Sequence, residues 1–171
     1  MSVQSSTPSD LIRSDMRVIA YVALGSNLGD SPLILSKAIK ELSEKPGLKL
    51  LSCSALYASK PIDATGDDYV NAVIALECFL NPVDLLRLTQ ELELAYGRVR
   101  SFVNAPRTLD LDLILYGHAQ VTTPRLVIPH PRWTQRAFVL RPLQSIAPHL
   151  VSEEMLSAVK DQEIELLQPS L

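Results

Sequence analysis

The sequence predicts an α+β protein, a ferredoxin-like α/β sandwich of order β-α-β-β-α-β with an added hairpin strand and a C-terminal helix. Three observations carry the prediction. Short runs rich in apolar and β-branched residues read as strands, two longer segments repeat their apolar residues with a period near 3.6, and turn formers separate the two kinds. Such an order places the helices on one face of a mainly antiparallel sheet.

Arg17 to Leu24 is nearly all apolar, as suits a strand buried on both faces, and Gly25 ends it. Gly25-Ser26-Asn27-Leu28-Gly29-Asp30-Ser31-Pro32 turns the chain into a helix whose apolar face is Leu33, Ile34, Ala38, Ile39 and Leu42, stopped by Pro46-Gly47. This turn has neither the Gly-x-Gly-x-x-Gly spacing nor the lysine of a nucleotide-binding loop, so a tight turn is its first reading. Leu48 to Tyr57 reads as a second strand, and Ala58 to Asp68 as an exposed, mobile loop of the kind that carries function. Tyr69 to Leu80 is a third strand. Asn81-Pro82 caps a second helix with Leu85, Leu86, Leu88, Thr89 and Leu92 inside, and Gly97 closes it.

Pro106-Arg107-Thr108 then leads into the fourth strand, in which Asp110 and Asp112 alternate with Leu109, Leu111 and Leu113. Val121 to Ile128 is expected to add a hairpin strand, Phe138-Val139-Leu140 to return to the core, and Ser152 to Leu167 to form an amphipathic helix. With 171 residues, 47% of them apolar, the chain is expected to hold one domain over residues 17–168 behind a disordered tail at 1–16.

Composition excludes several classes. A net charge of −3 lacks the basic excess of a protein whose main task is gripping nucleic acid. Cys53 and Cys78 have no CxxC spacing and read as buried free thiols. The start lacks a signal-type apolar region, and no run reaches the ~18 continuous apolar residues of a membrane span, so a cytoplasmic protein is expected.

The chemistry concentrates around Asp110 and Asp112. In a strand, side chains two apart share a face, so both carboxylates project to one spot. Two acids in an apolar strand need compensation, and a hard divalent cation supplies it: magnesium takes one or two carboxylates plus waters and phosphate oxygens. The alternative is an edge strand with a solvated outer face and Arg107 paired to Asp110. Arg98, Arg100 and Arg107 lie within ten residues just before these acids, an arrangement that fits clamping of a polyphosphate. Pro129-His130-Pro131 presents His130 beside Arg132 and Arg136, placed to donate to a phosphate, whereas His118 and His149 read as surface residues. Asn71, polar at the start of an apolar strand, is either satisfied by backbone groups or reads a polar substrate.

Together these stretches resemble the 6-hydroxymethyl-7,8-dihydropterin pyrophosphokinases of folate biosynthesis. The resemblance runs from about Val18 to Leu150 and rests on Ala23-Leu24-Gly25-Ser26-Asn27-Leu28-Gly29, Tyr69-Val70-Asn71-Ala72, Gly97-Arg98-Val99-Arg100, Pro106 to Asp112, and Pro129-His130-Pro131 through Phe138. It implies a ferredoxin-like fold and transfer of the terminal two phosphates of ATP, as one unit, to the hydroxymethyl oxygen of the pterin, releasing AMP. It also implies that Asp110 and Asp112 hold two Mg2+ ions. Arg98, Arg107 and Arg136 would grip the triphosphate and His130 would donate to it, with Gln90, Glu93, Leu113 and Arg125 near the nucleotide. Asn71 would hydrogen-bond the pterin, Tyr69 and Phe138 would flank its ring, and Ser59 and Ile62 would lie close by. ATP and the pterin would be the partners of a monomer, with no nucleic acid and no membrane. The chain departs from many members at Val103-Asn104-Ala105, where they carry an arginine, a tryptophan and a glycine.

Two rivals use the same features. The element order also serves RNA-recognition modules, but the central strands lack their aromatic pattern. A metal-dependent phosphodiesterase would also need two carboxylates and magnesium.

Overall fold

The computed structural model describes residues 17–62, 66–97 and 108–168. The expected tail and the loop containing Arg98, Arg100, Val103, Asn104, Ala105 and Arg107 lie outside them.

The first strand, β1 (Val18–Ser26), is the long strand its apolar run predicts, and its alternation divides the interior. Ala20, Val22 and Leu24 enter one core, whereas Tyr21 and Ala23 enter a second on the opposite face. Helix α1 (Ser31–Ser43) follows, with Asp30 Oδ1 accepting the Leu33 N–H and Pro32 in the first turn. Its buried face is Leu35, Ala38, Ile39 and Leu42. Leu33, expected inside, is 48% exposed, because the helical period puts it on the side of the helix opposite Leu35, Ala38, Ile39 and Leu42. At Gly47 (φ +84°) the backbone is left-handed and a Cβ would stand 2.9 Å from Leu80 Cδ2, so the turn into the next strand favours glycine.

The single strand expected over Leu48 to Tyr57 is two: β2 (Leu48–Cys53) and β3 (Leu56–Ser59). A register shift after Leu50 and the non-strand pair Ser54-Ala55 break it. Ser54 bridges the break, with its N–H donating to Val73 O and its Oγ accepting from Val73 N, both at 2.9 Å. Strand β4 (Tyr69–Cys78) pairs antiparallel with β1 on one side and with β2 and β3 on the other. Helix α2 (Pro82–Ala95) is capped by Asn81, and Gly97 beyond it has φ +82°. Strand β5 (Asp110–Tyr116) lies on the far side of β1, giving the order β5-β1-β4, with β2 and β3 end to end along the other edge of β4. This is the ferredoxin-like arrangement.

Two late expectations need correction. The Val121 to Ile128 strand is a small separate hairpin, β6 (Val121–Thr122) and β7 (Val127–Ile128), tied by Thr123 Oγ1 to Leu126 and not joined to the main sheet. Pro124, which has no N–H, stands inside that run. The expected return of Phe138-Val139-Leu140 to the core is met by a helix, α3 (Ala137–Ile146), with Val139 and Leu140 fully buried; Pro142 inside it forfeits one helical hydrogen bond. The expected helix over Ser152 to Leu167 is only α4 (Glu153–Ala158), after which β8 (Ile164–Gln168) adds to the open edge of β3. A five-residue run that unpaired backbone can accept becomes a strand whatever its weak helical period.

Helices therefore cover both faces of the sheet, not one. α1 and α2 pack over Val22, Leu24, Ile74, Leu76, Leu111 and Leu113, while α3 and α4 pack over Tyr21, Ala23, Val73, Ala75 and Ile114 with Val139, Leu140 and Leu143. The second layer occupies the sheet face on which an RNA-recognition module stacks bases. Cys78 is buried and Cys53 half-buried, both as free thiols.

Candidate active site

Beside the N-terminal end of α3, the second face opens into a cleft of ≈ 470 Å³. Its floor is set by strand register. Gly25 stands opposite Asn71 of β4 on one side and Asp110 of β5 on the other, and Ala23 stands opposite Asp112. Asn71, Asp110 and Asp112 therefore share one face, with only small residues between them on the central strand. At Gly25 a Cβ would already touch Asn71 Oδ1 and Tyr69 Cδ1 at 3.5 Å, so a longer side chain there fills the floor.

The cleft has two chemically distinct ends. At one end, Asn71 is 3% exposed and its Nδ2 donates to Ser59 Oγ at 2.6 Å and, at a longer 3.5 Å, to the Tyr69 carbonyl, so a buried side chain and the backbone both engage it. Tyr69, Ile62 and Phe138 line the same region. A flat heterocycle with polar edges fits such walls.

At the other end lie Asp110, Asp112, His130 and Arg136. Arg136 Nη1 is 3.6 Å from Asp112 Oδ2, and its guanidinium lies 5.4 Å from the centre of the Phe138 ring. The 130 turn is held by an irregularity in β5. The register shift opposite Tyr21 and Val22 leaves Ile114 outside the pairing with β1, and the Ile114 carbonyl accepts the His130 N–H at 2.9 Å. His130 Nδ1 accepts the Arg132 N–H at 3.1 Å, so in the neutral ring Nε2 carries the proton and is a donor. Burial, then Arg136 and Arg132, push the His130 pKa below its ordinary value, against a smaller opposing pull from Asp110. The ring is neutral at pH 7.

The acids fit magnesium by donor chemistry. Two carboxylates on one strand face, next to cations of the kind that can pair with phosphate, are a set that phosphate oxygens and water would complete. Among the described residues no group of three or more His, Cys, Asp or Glu forms a self-sufficient metal cage.

Of the residues singled out from sequence, Ser59, Ile62, Tyr69, Asn71, Asp110, Asp112, His130, Arg136 and Phe138 meet in this cleft. Gln90, Glu93, Leu113 and Arg125 do not line it. Gln90 and Arg125 are exposed, Glu93 is 2% exposed on α2, and Leu113 lies in the core on the opposite face. Arg98 and Arg107 lie outside the described residues. Sequence reasoning missed Lys60, Gln135 and Gln162 as lining residues, and noted Arg132 only as a nearby cation. The alternation of Ala23 and Gly25 on a central strand was a readable signal of an open floor. Gln162, remote in sequence and in a segment read as helix, gave none. The opening turn is used structurally, with Ser26 Oγ donating to Ser31 Oγ and Asn27 Nδ2 to Asp67 O.

Comparison with known proteins agrees with this geometry. The family model for 7,8-dihydro-6-hydroxymethylpterin-pyrophosphokinase (HPPK) matches residues 21–148. The 2-amino-4-hydroxy-6-hydroxymethyldihydropteridine pyrophosphokinase of Bacillus subtilis is 38% identical over 149 residues, covering 86% of this chain and 89% of its own. The corresponding protein of Methylorubrum extorquens is 43% identical over 133 residues, covering 77% and 84%. The wild-type HPPK-DHPS structure of Plasmodium falciparum with pteroate superposes with a TM-score of 0.62 at 14% identity, which speaks for the fold alone. It covers 88% of this chain, which spans about half (48%) of that longer protein. With most of its length and both ends of its cleft inside the matched region, the chain belongs to the 7,8-dihydro-6-hydroxymethylpterin-pyrophosphokinase family.

Proposed function

We propose that this cleft carries out the ATP-dependent pyrophosphoryl transfer of its family, from ATP to 6-hydroxymethyl-7,8-dihydropterin, in folate biosynthesis. The carrying observation is that Asn71 and the Asp110/Asp112 pair face one cleft across Gly25, an acceptor pocket beside an acid-and-cation pocket. The pterin occupies the first, its polar edge on Asn71 and its ring against Tyr69 and Phe138, with Ser59 and Ile62 alongside. The triphosphate occupies the second.

The hydroxymethyl oxygen attacks the β-phosphorus of ATP. The bond from that phosphorus to the oxygen bridging to the α-phosphate breaks, AMP leaves with the electron pair, and the hydroxyl proton passes to water. Asp110 and Asp112 would hold magnesium, two ions in this reading, which would supply neutralisation of phosphate charge. Arg136 grips the triphosphate, joined by Arg98 and Arg107. His130 donates from Nε2 to a phosphate oxygen, and because that nitrogen holds its proton the ring is a donor and not the base. Gln90, Glu93, Leu113 and Arg125 remain nucleotide-side assignments on the strength of family resemblance. Positioning and charge neutralisation then supply most of the rate. Both substrates are small water-soluble molecules, which supports a cytoplasmic enzyme, and we assign it as a monomer.

The test is AMP release from ATP and magnesium with and without the pterin. Pterin-dependent AMP is expected. Phosphate-ester cleavage without an acceptor would instead support the metal-dependent phosphodiesterase, and folded protein with neither activity would overturn the reading.

A further inference from the structure

Arg136 is the N-cap of α3, yet its own side chain makes no capping bond and is turned to Asp112 and Phe138. Its backbone is extended (φ −125°, ψ 112°). The groups flanking it are satisfied from 25 residues away in sequence. Gln162 Oε1 accepts the Ala137 N–H at 2.9 Å, and Gln162 Nε2 donates to the Gln135 carbonyl at 2.8 Å. One carboxamide thus brackets residue 136 on both sides, a task that needs donor and acceptor on the same planar group.

The segment carrying Gln162 is itself anchored to the opposite wall. The adjacent Glu163 pairs with Lys60 at 2.7 Å, and β8 runs antiparallel to β3, with Ile164 opposite Ser59. The turn from α4 to β8 therefore ties the Ser59-Lys60 wall to the Arg136 wall.

We propose that Gln162 is a positioning residue for the reaction, holding the Arg136 guanidinium toward the triphosphate. The proposal rests on the assignment of Arg136 to that group. Without the clamp, the Gln135–Ala137 backbone rotates more freely and Arg136 divides its time among rotamers that do not meet ATP.

The experiment measures AMP release by the full chain with ATP varied at saturating pterin, for wild type, Gln162→Met, Gln162→Glu, Arg136→Ala and the Gln162→Met/Arg136→Ala double variant, with thermal unfolding read alongside. Gln162→Met is expected to raise KM for ATP about tenfold while kcat falls much less, as loss of two modest hydrogen bonds implies. Gln162→Glu keeps the bond from Ala137 N–H but sets a carboxylate against the Gln135 carbonyl, so it shows the same direction of change at pH 8. Should Gln162→Met fail to fold, Gln162→Glu alone and combined with Arg136→Ala takes its place. The double variant is expected to be no worse than Arg136→Ala alone. Wild-type KM in folded Gln162 variants, or defects that multiply in the double variant, overturns the proposal. An unchanged KM for ATP in Arg136→Ala instead overturns the triphosphate assignment, and the proposal with it.

Discussion

Asp112→Asn separates catalysis from folding at one atom. The substitution keeps size and shape, and removes one charge from the acid pair and the partner of Arg136. Two unit charges at the observed 3.6 Å attract by roughly 4–5 kcal/mol gross at an effective dielectric near 20. The side chains of Arg136 and Asp112 are 23% and 31% exposed, so solvent screening and lost hydration reduce the net contribution to about 1 kcal/mol or less. Urea unfolding should therefore show a small stability change. Catalysis should respond far more, because one of two carboxylates meant for magnesium is gone and an amide binds a hard cation weakly. AMP release at fixed ATP and pterin should fall by at least about 10²-fold, with partial recovery as magnesium is raised. Turnover within about threefold of wild type at low magnesium, in a folded variant, would refute the metal assignment.

Asn71→Ala removes a buried donor to Ser59 Oγ, so it should cost about 1–3 kcal/mol in urea unfolding and raise KM for the pterin more than KM for ATP. An equal effect on both substrates would argue against Asn71 as a pterin contact. For His130 the folded-state pKa lies below the ordinary value, so as pH falls the unfolded chain takes up the proton first and stability declines. That contribution is fully present above about pH 6.5 and is lost as pH falls through the lower folded value. Unfolding compared at pH 7.5 and 5.5 should show a smaller decline in His130→Asn than in wild type, and equal declines would refute it. Burial pushes both Cys53 and Cys78 up to about 11, so thiol alkylation at pH 8 should be slow in the native protein and fast in urea. Rapid native labelling would show that these thiols are more open than the structure places them.

How far the sequence could be read depended on whether the deciding interaction was local. Asp30, Pro32 and Asn81-Pro82 act within one helical turn, so the starts of α1 and α2 were legible, as was the double-sided burial of β1 from its unbroken apolar run. Asp110, Asp112 and Asn71 were legible as candidates because each is polar where a strand is otherwise apolar. Their meeting in one cleft depended on register, which places Gly25 between them. The failures were tertiary. Ser54 splits β2 from β3 through Val73, and β8 exists because β3 had an open edge. The late elements make the wall opposite Asp112: Arg136 is the N-cap of α3 and Phe138 lies in its first turn, and the turn before β8 carries Gln162. The active strand was therefore readable from its own residues, while the geometry of its far wall came from contacts that no local window contains.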